Sequence, residues 1–322
     1  MFNSYNDIRK WRENRMDSVS RDHFQLNAFH DQMIQHAFHL AKEKIEREQG
    51  PPPAPFAFYL MGSAGRFEQS IWSDQDHGIV FDGKQEHQHY FLKLGEEIRE
   101  GLAAVGYERC EGNVMASNPL WCQSVEVLQT QISDWLREAS WQKLRHFLIF
   151  FDSRVLIGDK GLLFQVKKQV FSILEEEPWL FSRLVENVNH VKKGVGIFGQ
   201  LLPDYSGGKK GNFNLKQTVY FPYVNALRML ALLHHVSAPS TLSRFEAIRS
   251  IYPSVAAYEE DFHQLLQHRL QWRNEAESYE NVHMLKVDQL PKKDKQQLKT
   301  SVRRGQKLYS IAKSIVKEEG WS

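Results

Sequence analysis

Cysteine is nearly absent from this 322-residue chain. Cys110 and Cys122 are the two present, so neither a disulfide framework nor a four-thiolate zinc site is available to it. Long apolar runs are missing too. No stretch of about 18 or more apolar residues occurs, and the opening residues, MFNSYNDIRKWREN, are charged where a signal peptide would have an apolar core. A cytoplasmic protein with no membrane association is the expectation. Charge of one sign is not in excess, since the formal net charge is +2; general nucleic-acid binding would show a clustered basic surplus. Internal repeats and long low-complexity segments are absent. At 42% hydrophobic and 25% charged residues, the composition is that of a soluble globular chain, long enough for one large or two ordinary domains.

What the chain does contain is concentrated between Phe56 and Asp82, FAFYLMGSAGRFEQSIWSDQDHGIVFD. Phe56 to Leu60 is an apolar run bounded by Pro55 and Gly62, which predicts a buried strand. Gly62-Ser63-Ala64-Gly65 follows as a turn with almost no side-chain bulk, where backbone N–H groups can approach a phosphate. Asp74 and Asp76 sit two residues apart, just before the apolar run Gly78 to Phe81. If they open a second strand, its period of two places both carboxylates on one face. Paired oxygen ligands of this kind suit Mg²⁺ (or Mn²⁺) and phosphoryl chemistry.

Around this core the pattern is largely helical. Asp7 to Glu48 shows apolar residues at three-and-four spacing. His23, His30, His36, His39 and His77 match no metal-ligand spacing. A Pro-rich connector, Gly50 to Pro55, leads into the first strand. Gln85 to Ala104 reads as a helix ending near Gly106, and Asn113 to Ala116 or Cys122 to Leu128 can each supply a further strand. In HFLIFFDSRVLIGDKGLLFQVKKQV, an apolar helix or strand, a polar stop and a new helix follow one another; Asp152 and Arg154 are either a buried ion pair or part of the site. From Gly161 onward, helical patterns over Phe164–Leu174, Trp179–Gly194, Leu215–His235, Ser240–Ile251, Ser254–Asn274 and Lys292–Glu318 predict an antiparallel bundle. A basic loop, Pro203 to Gly211, interrupts it. Lys216, Asn225 and Arg228 lie on the helix after that loop, among apolar neighbours, where a cation can meet phosphates.

Four blocks in order, MGSAGRFEQSIWSDQDHGIVF, GYERCEGNVMASNPLW, FFDSRVLIGD and NLKQTVYFPYVNALRMLALLH, resemble a bacterial nucleotidyltransferase family of unknown function that is related to the PII-protein uridylyltransferases. The resemblance covers most of the chain. It implies an α+β fold: a polymerase-β-type nucleotidyltransferase domain, with a small mixed sheet and helices, then an α-helical substrate-binding domain. The expected organisation is a helical segment over 1–50, the transferase domain over 51–160 and the helical domain over 161–322. Carried over by position, Gly62 and Ser63 match the phosphate-binding turn, Arg66 and Glu68 the charged pair after it, and Asp74 and Asp76 the metal-binding acids. The Lys216 block matches the family's C-terminal motif. Such enzymes commonly carry a third carboxylate on a later strand, for which Glu111 and Glu126 are the candidates. The uridylyltransferases' hydrolase and ligand-sensing domains have no counterpart here, so neither deuridylylation nor glutamine sensing is expected.

The resulting expectation is an enzyme that moves a nucleoside monophosphate from a nucleoside triphosphate to a hydroxyl of a protein or small molecule. Asp74 and Asp76 would bind metal, Gly62 and Ser63 would cradle phosphates, and Arg66, Lys216 or Arg228 would offset charge. The alternative is a nucleotide-binding regulatory protein without turnover. A transferase acting on a small molecule of the antibiotic kind is the remaining variant. Oligomeric state has no signature in the sequence.

Overall fold

A computed structural model describes residues 2–189, 192–203, 211–272 and 279–320. Two compact units divide the chain between Ile173 and Leu174.

The first unit opens with helices α1 (Tyr5–Val19) and α2 (His23–Gln49). The apolar periodicity over Asp7 to Glu48 does not mark the boundary between them. The chain breaks because Asp22 takes an extended conformation and its side chain accepts the Gln25 N–H, capping a new N-terminus. Strand β1 (Phe56–Leu60) follows the prolines, then a single helical turn, α3 (Gly62–Gly65), and strand β2 (His77–Phe81). β1 and β2 pair antiparallel, with Leu60 opposite His77 and Phe56 opposite Phe81. Both strands are buried along nearly their whole length, as a central pair covered by helices must be. Helix α4 (Gln88–Val105) packs on α1 and α2. It buries the expected face of Tyr90, Phe91, Leu94, Ile98 and Leu102 and ends at Gly106, whose φ of 107° is open to glycine.

The segment proposed as a strand over Cys122–Leu128 is a strand only at β3 (Cys122–Ser124), which runs parallel to β2. Helix α5 (Val125–Glu138) begins immediately, because the Ser124 hydroxyl accepts the Val127 N–H and Leu128, Ile132, Trp135 and Leu136 bury at helical spacing. Asn113–Ala116 is not a strand. After helix α6 (Trp141–Phe151), the sequence that reads as a stop and a new helix instead supplies strand β4 (Arg154–Gly158), antiparallel to β1, before helix α7 (Lys160–Glu176). The sheet is thus mixed and four-stranded, in the order β3-β2-β1-β4.

The second unit is mainly helical. After α8 (Leu180–Val188), strand β5 (Asn212–Asn214) leads into a π-helical segment, Lys216–Tyr220, and helix α9 (Phe221–Leu233). Then come α10 (Thr241–Ile248), α11 (Pro253–Ala256), α12 (Glu259–Gln271), strand β6 (Met284–Lys286) and α13 (Lys292–Glu319). The sequence pattern does not announce the antiparallel β5–β6 pair. α9 is apolar nearly all round and is correspondingly buried. Its close neighbour α13 carries glycine at 305, where a Cβ would stand 2.6 Å from the Tyr223 ring. α13 buries Leu298, Val302, Leu308, Ala312 and Val316, and its lysines follow the other face. Of the basic loop Pro203–Gly211, residues 204–210 lie outside the described residues. No helix among the described residues is long and apolar enough to cross a membrane.

Candidate active site

The end of β1 delivers the chain into a turn that touches the acids directly. Met61 N–H donates to the Asp76 carbonyl at 2.8 Å. Gly62 has φ +55°, and a Cβ there would stand 2.0 Å from Asp76 Oδ2. Glycine is required twice over, for the left-handed backbone and for the space the carboxylate occupies. Gly65 is equally crowded, with the Asp152 carbonyl 2.3 Å from where its Cβ would be.

On the other side, the acidic segment is held by the loop after α4. Gln75 N–H donates to the Glu108 carbonyl at 2.9 Å, Glu108 N–H to the Ser73 carbonyl at 3.3 Å, and His77 N–H to the Val114 carbonyl at 3.0 Å. The first two form an isolated parallel bridge between Asp74 and Glu108. Burial alternates along it: Ser73, Gln75 and His77 are buried, while Asp74 and Asp76 are half-buried. The two carboxylates therefore share the accessible face of an extended segment. On the inner face, His77 Nδ1 accepts the Ala116 N–H at 3.2 Å, which leaves Nε2 to donate to Gln75 Oε1 at 3.2 Å. Burial lowers this imidazole to about 3, so it is a neutral packing residue.

A third donor joins the acids from the same loop. Ligand atoms of Asp74, Asp76 and Cys110 all lie within 4.8 Å of one another. Cys110 is hydrogen-bonded to the Asp76 carboxylate and to the Val114 backbone; burial, then the nearby charges of Asp76 and Asp74, push its thiol well above the ordinary range. In the sequence, Cys110 reads only as one of two cysteines, too few for a disulfide framework or a four-thiolate zinc site. A signal was present, since Glu108 and Cys110 share the spacing of Asp74 and Asp76, but nothing local in sequence says that the two segments pair.

Two arginines brace the turn. Arg66, 9% exposed, donates from Nε to Glu68 at 2.7 Å and from Nη1 to Asp152 at 2.8 Å. Burial alone would lower its pKa, and the two carboxylates outweigh that and raise it. Arg154 donates to the Ala64 carbonyl at 2.9 Å and to Asp31 on α2 at 2.8 Å. Asp152 and Arg154 are therefore not partners of each other, as a pairing of neighbours would have it; each ties β4's entry to a different element. Arg154 also covers the ring of Phe67, a non-glycine residue at φ +61°. From α2, Asn27 accepts the Gln69 N–H at 2.7 Å and His30 donates from Nε2 to the Ser70 carbonyl at 2.9 Å. Arg12 on α1 reaches the Ile71 carbonyl at 3.2 Å. A strained loop residue persists when its surroundings over-determine it, and these bonds do so.

The remaining candidates fall elsewhere. Ser63 is half-buried beside Gly62 in the turn. Glu111 is exposed, next to Cys110 in a turn closed by Asn113 N–H on the Cys110 carbonyl at 2.9 Å. Glu126 is exposed in the first turn of α5 rather than on a strand. Neither glutamate joins the group of close ligand atoms found among the described residues. Lys216 and Arg228 belong to the second unit. Lys216 opens the π-helical segment, and together with Arg269 it adds to the burial that holds the His283 imidazole below its ordinary value. Arg228 Nη1 donates to Asn225 Oδ1 at 2.7 Å on α9.

Residues 11–142 match a family model described as "Putative nucleotidyltransferase DUF294", and residues 178–316 match one described as "Putative nucleotidyltransferase substrate binding domain". No curated protein matches the chain.

Proposed function

Because the chain belongs to this nucleotidyltransferase family, we propose that it moves a nucleoside monophosphate from a nucleoside triphosphate to the hydroxyl of a protein or small-molecule acceptor. The acceptor oxygen attacks the α-phosphorus and gives up its proton to solvent, the bond to the bridging oxygen breaks, and pyrophosphate leaves with that electron pair. The observation that carries the reading is the contact between the turn and the acids, in which Gly62 leaves room for the Asp76 carboxylate and for nothing larger.

Each residue then has a role. Asp74 and Asp76 would hold a divalent ion, as paired carboxylates do. Such an ion, when bound, offsets phosphate charge and favours the attacking oxygen. Gly62 and Ser63 let backbone N–H groups approach the phosphates. Arg66 acts through Glu68 and Asp152, keeping the turn in position. Lys216 and Arg228 are the cations of the second unit with the chemistry to meet an anionic group of a substrate.

The test uses each α-phosphate-labelled nucleoside triphosphate with the full chain and a cell lysate as the source of acceptor. Asp74→Asn and Asp76→Asn should each lower metal-dependent label transfer by about 10²-fold or more. Undiminished transfer in the double variant sinks the assignment. One observation favours a second reading, a nucleotide-binding regulator without turnover: the third donor beside the acids is a thiol, while Glu111 and Glu126 are exposed and apart from them. That reading requires nucleotide binding by calorimetry with no pyrophosphate release.

A further inference from the structure

The donor set beside the turn is mixed, and that has a consequence for which ion it takes. Backbone pairing puts Cys110 there. The isolated Asp74–Glu108 bridge is parallel and brings the loop after α4 alongside the acids; two residues beyond Glu108 the chain turns, and the Cys110 sulfur lies among the ligand atoms of Asp74 and Asp76. The turn closed by Asn113 N–H holds Cys110 in place from behind. Three ligand atoms within 4.8 Å of one another need only small rotamer adjustments to meet one ion at bonds of about 2.0–2.3 Å.

We infer that Cys110 is a metal ligand that selects a borderline-soft divalent ion of the Zn²⁺ class over Mg²⁺ at the Asp74–Asp76 centre. The inference rests on the carboxylate centre proposed above and adds its selectivity. Mg²⁺ takes octahedral oxygen donors and dehydrates reluctantly, and a sulfur in the set offers it nothing. Zn²⁺ accepts carboxylate oxygen and thiolate sulfur together. In the binding step the Cys110 S–H bond breaks, the proton passes to solvent and a sulfur–metal bond forms, with no change of oxidation state. The competing role for Cys110 is a thiol that only donates a hydrogen bond to Asp76; it would steady that carboxylate without altering the order of preference among ions.

The full chain, freed of metal by chelation, is titrated with Cd²⁺ as the spectroscopic stand-in for Zn²⁺. A sulfur-to-metal charge-transfer band in the ultraviolet should rise to one equivalent and survive excess Mg²⁺. Cys110→Ser should abolish the band and reduce the preference for Cd²⁺ over Mg²⁺ by about tenfold or more, since losing even an outer partner of a metal site costs that much. Buried Cys122 is unchanged in that variant and reports any unspecific thiol binding. No band in the natural chain, or a band that persists in Cys110→Ser, overturns the inference. A second measurement needs no variant: Zn²⁺ should slow alkylation of Cys110, located by peptide mass, and Mg²⁺ should not; equal rates overturn it as well. The underlying site is separated by the Asp74→Asn, Asp76→Asn double variant. If that variant binds every ion as tightly as the natural chain, the carboxylate centre itself is wrong. If it loses all of them while Cys110→Ser leaves the preference unchanged, only the role given to Cys110 fails.

Discussion

The segments Gly62–Asp76 and Lys216–Arg228 carry the charged groups of interest in the two units, and they are held in opposite ways. The first is mostly irregular backbone. Its carbonyl and N–H groups are taken up by side chains far away in sequence: Asn27 and His30 on α2, Arg12 on α1, and Arg154 on β4. The second is helical, π then α, so its backbone satisfies itself; the bond between Arg228 and Asn225 is local, and the Tyr220 and Tyr223 side chains reach far, to the Leu265 and Ser301 carbonyls. A loop without a repeating ladder must borrow its partners from other elements. The difference teaches that the acid-bearing loop is set by tertiary contacts and should fail at single positions, whereas the helical segment should tolerate change.

The sharpest way to break this contrast is at Arg66. Arg66→Met takes a charged partner from two buried carboxylates, Glu68 and Asp152, and should destabilise the protein by about 3–5 kcal/mol, read from the midpoint of urea unfolding. A loss below about 1 kcal/mol would mean that the brace does not hold the turn.

Acid titration probes the inner face of the same loop. His77 is lowered by burial to about 3 in the folded protein, against about 6.5 when unfolded. Its contribution is complete above about pH 6.5, because the neutral form is the one that packs. It is lost as pH falls through 6.5 toward 3, where the unfolded chain binds a proton that the folded chain refuses. The loss reaches on the order of 4 kcal/mol at the acid end. Unfolding midpoints of the natural chain and of His77→Gln, followed from pH 7 to pH 4, should converge as pH falls; parallel curves would contradict the burial account.

The smallest effect belongs to the helical segment. Arg228→Met removes the partly buried hydrogen bond to Asn225 among its contacts, on a helix whose backbone bonds stay intact, and should cost about 0.5–1.5 kcal/mol. If it matches Arg66→Met in the same urea series, the distinction between the two segments disappears.

Several parts of this architecture are legible in the residues alone. The alternation of small and apolar residues around Gly62, the two-residue spacing of Asp74 and Asp76, the buried face of α4 and the all-round apolar α9 each follow from local periodicity, which a strand or helix must express wherever it sits. Boundaries set by caps were harder to see. Asp22 and Ser124 each start a helix inside a stretch whose apolar pattern continues without a break, so the boundary between α1 and α2 is not marked by that pattern and the strand expected over Cys122–Leu128 is mostly helix.

Which distant residues meet was beyond any local pattern. Arg66 pairs with Asp152 where Asp152 and Arg154 are neighbours in sequence, and Cys110 lies beside Asp74 and Asp76 because the isolated bridge between Asp74 and Glu108 brings its loop alongside. Pairing across the fold depends on backbone hydrogen bonds between segments more than thirty residues apart in the chain, and a two-residue spacing is the same on paper whether or not such a partner exists. The sequence by itself determined that two carboxylates would follow a glycine turn on one face of an extended segment. Tertiary structure alone decided that the third donor beside them would be sulfur, because only the folded chain brings the loop after α4 alongside.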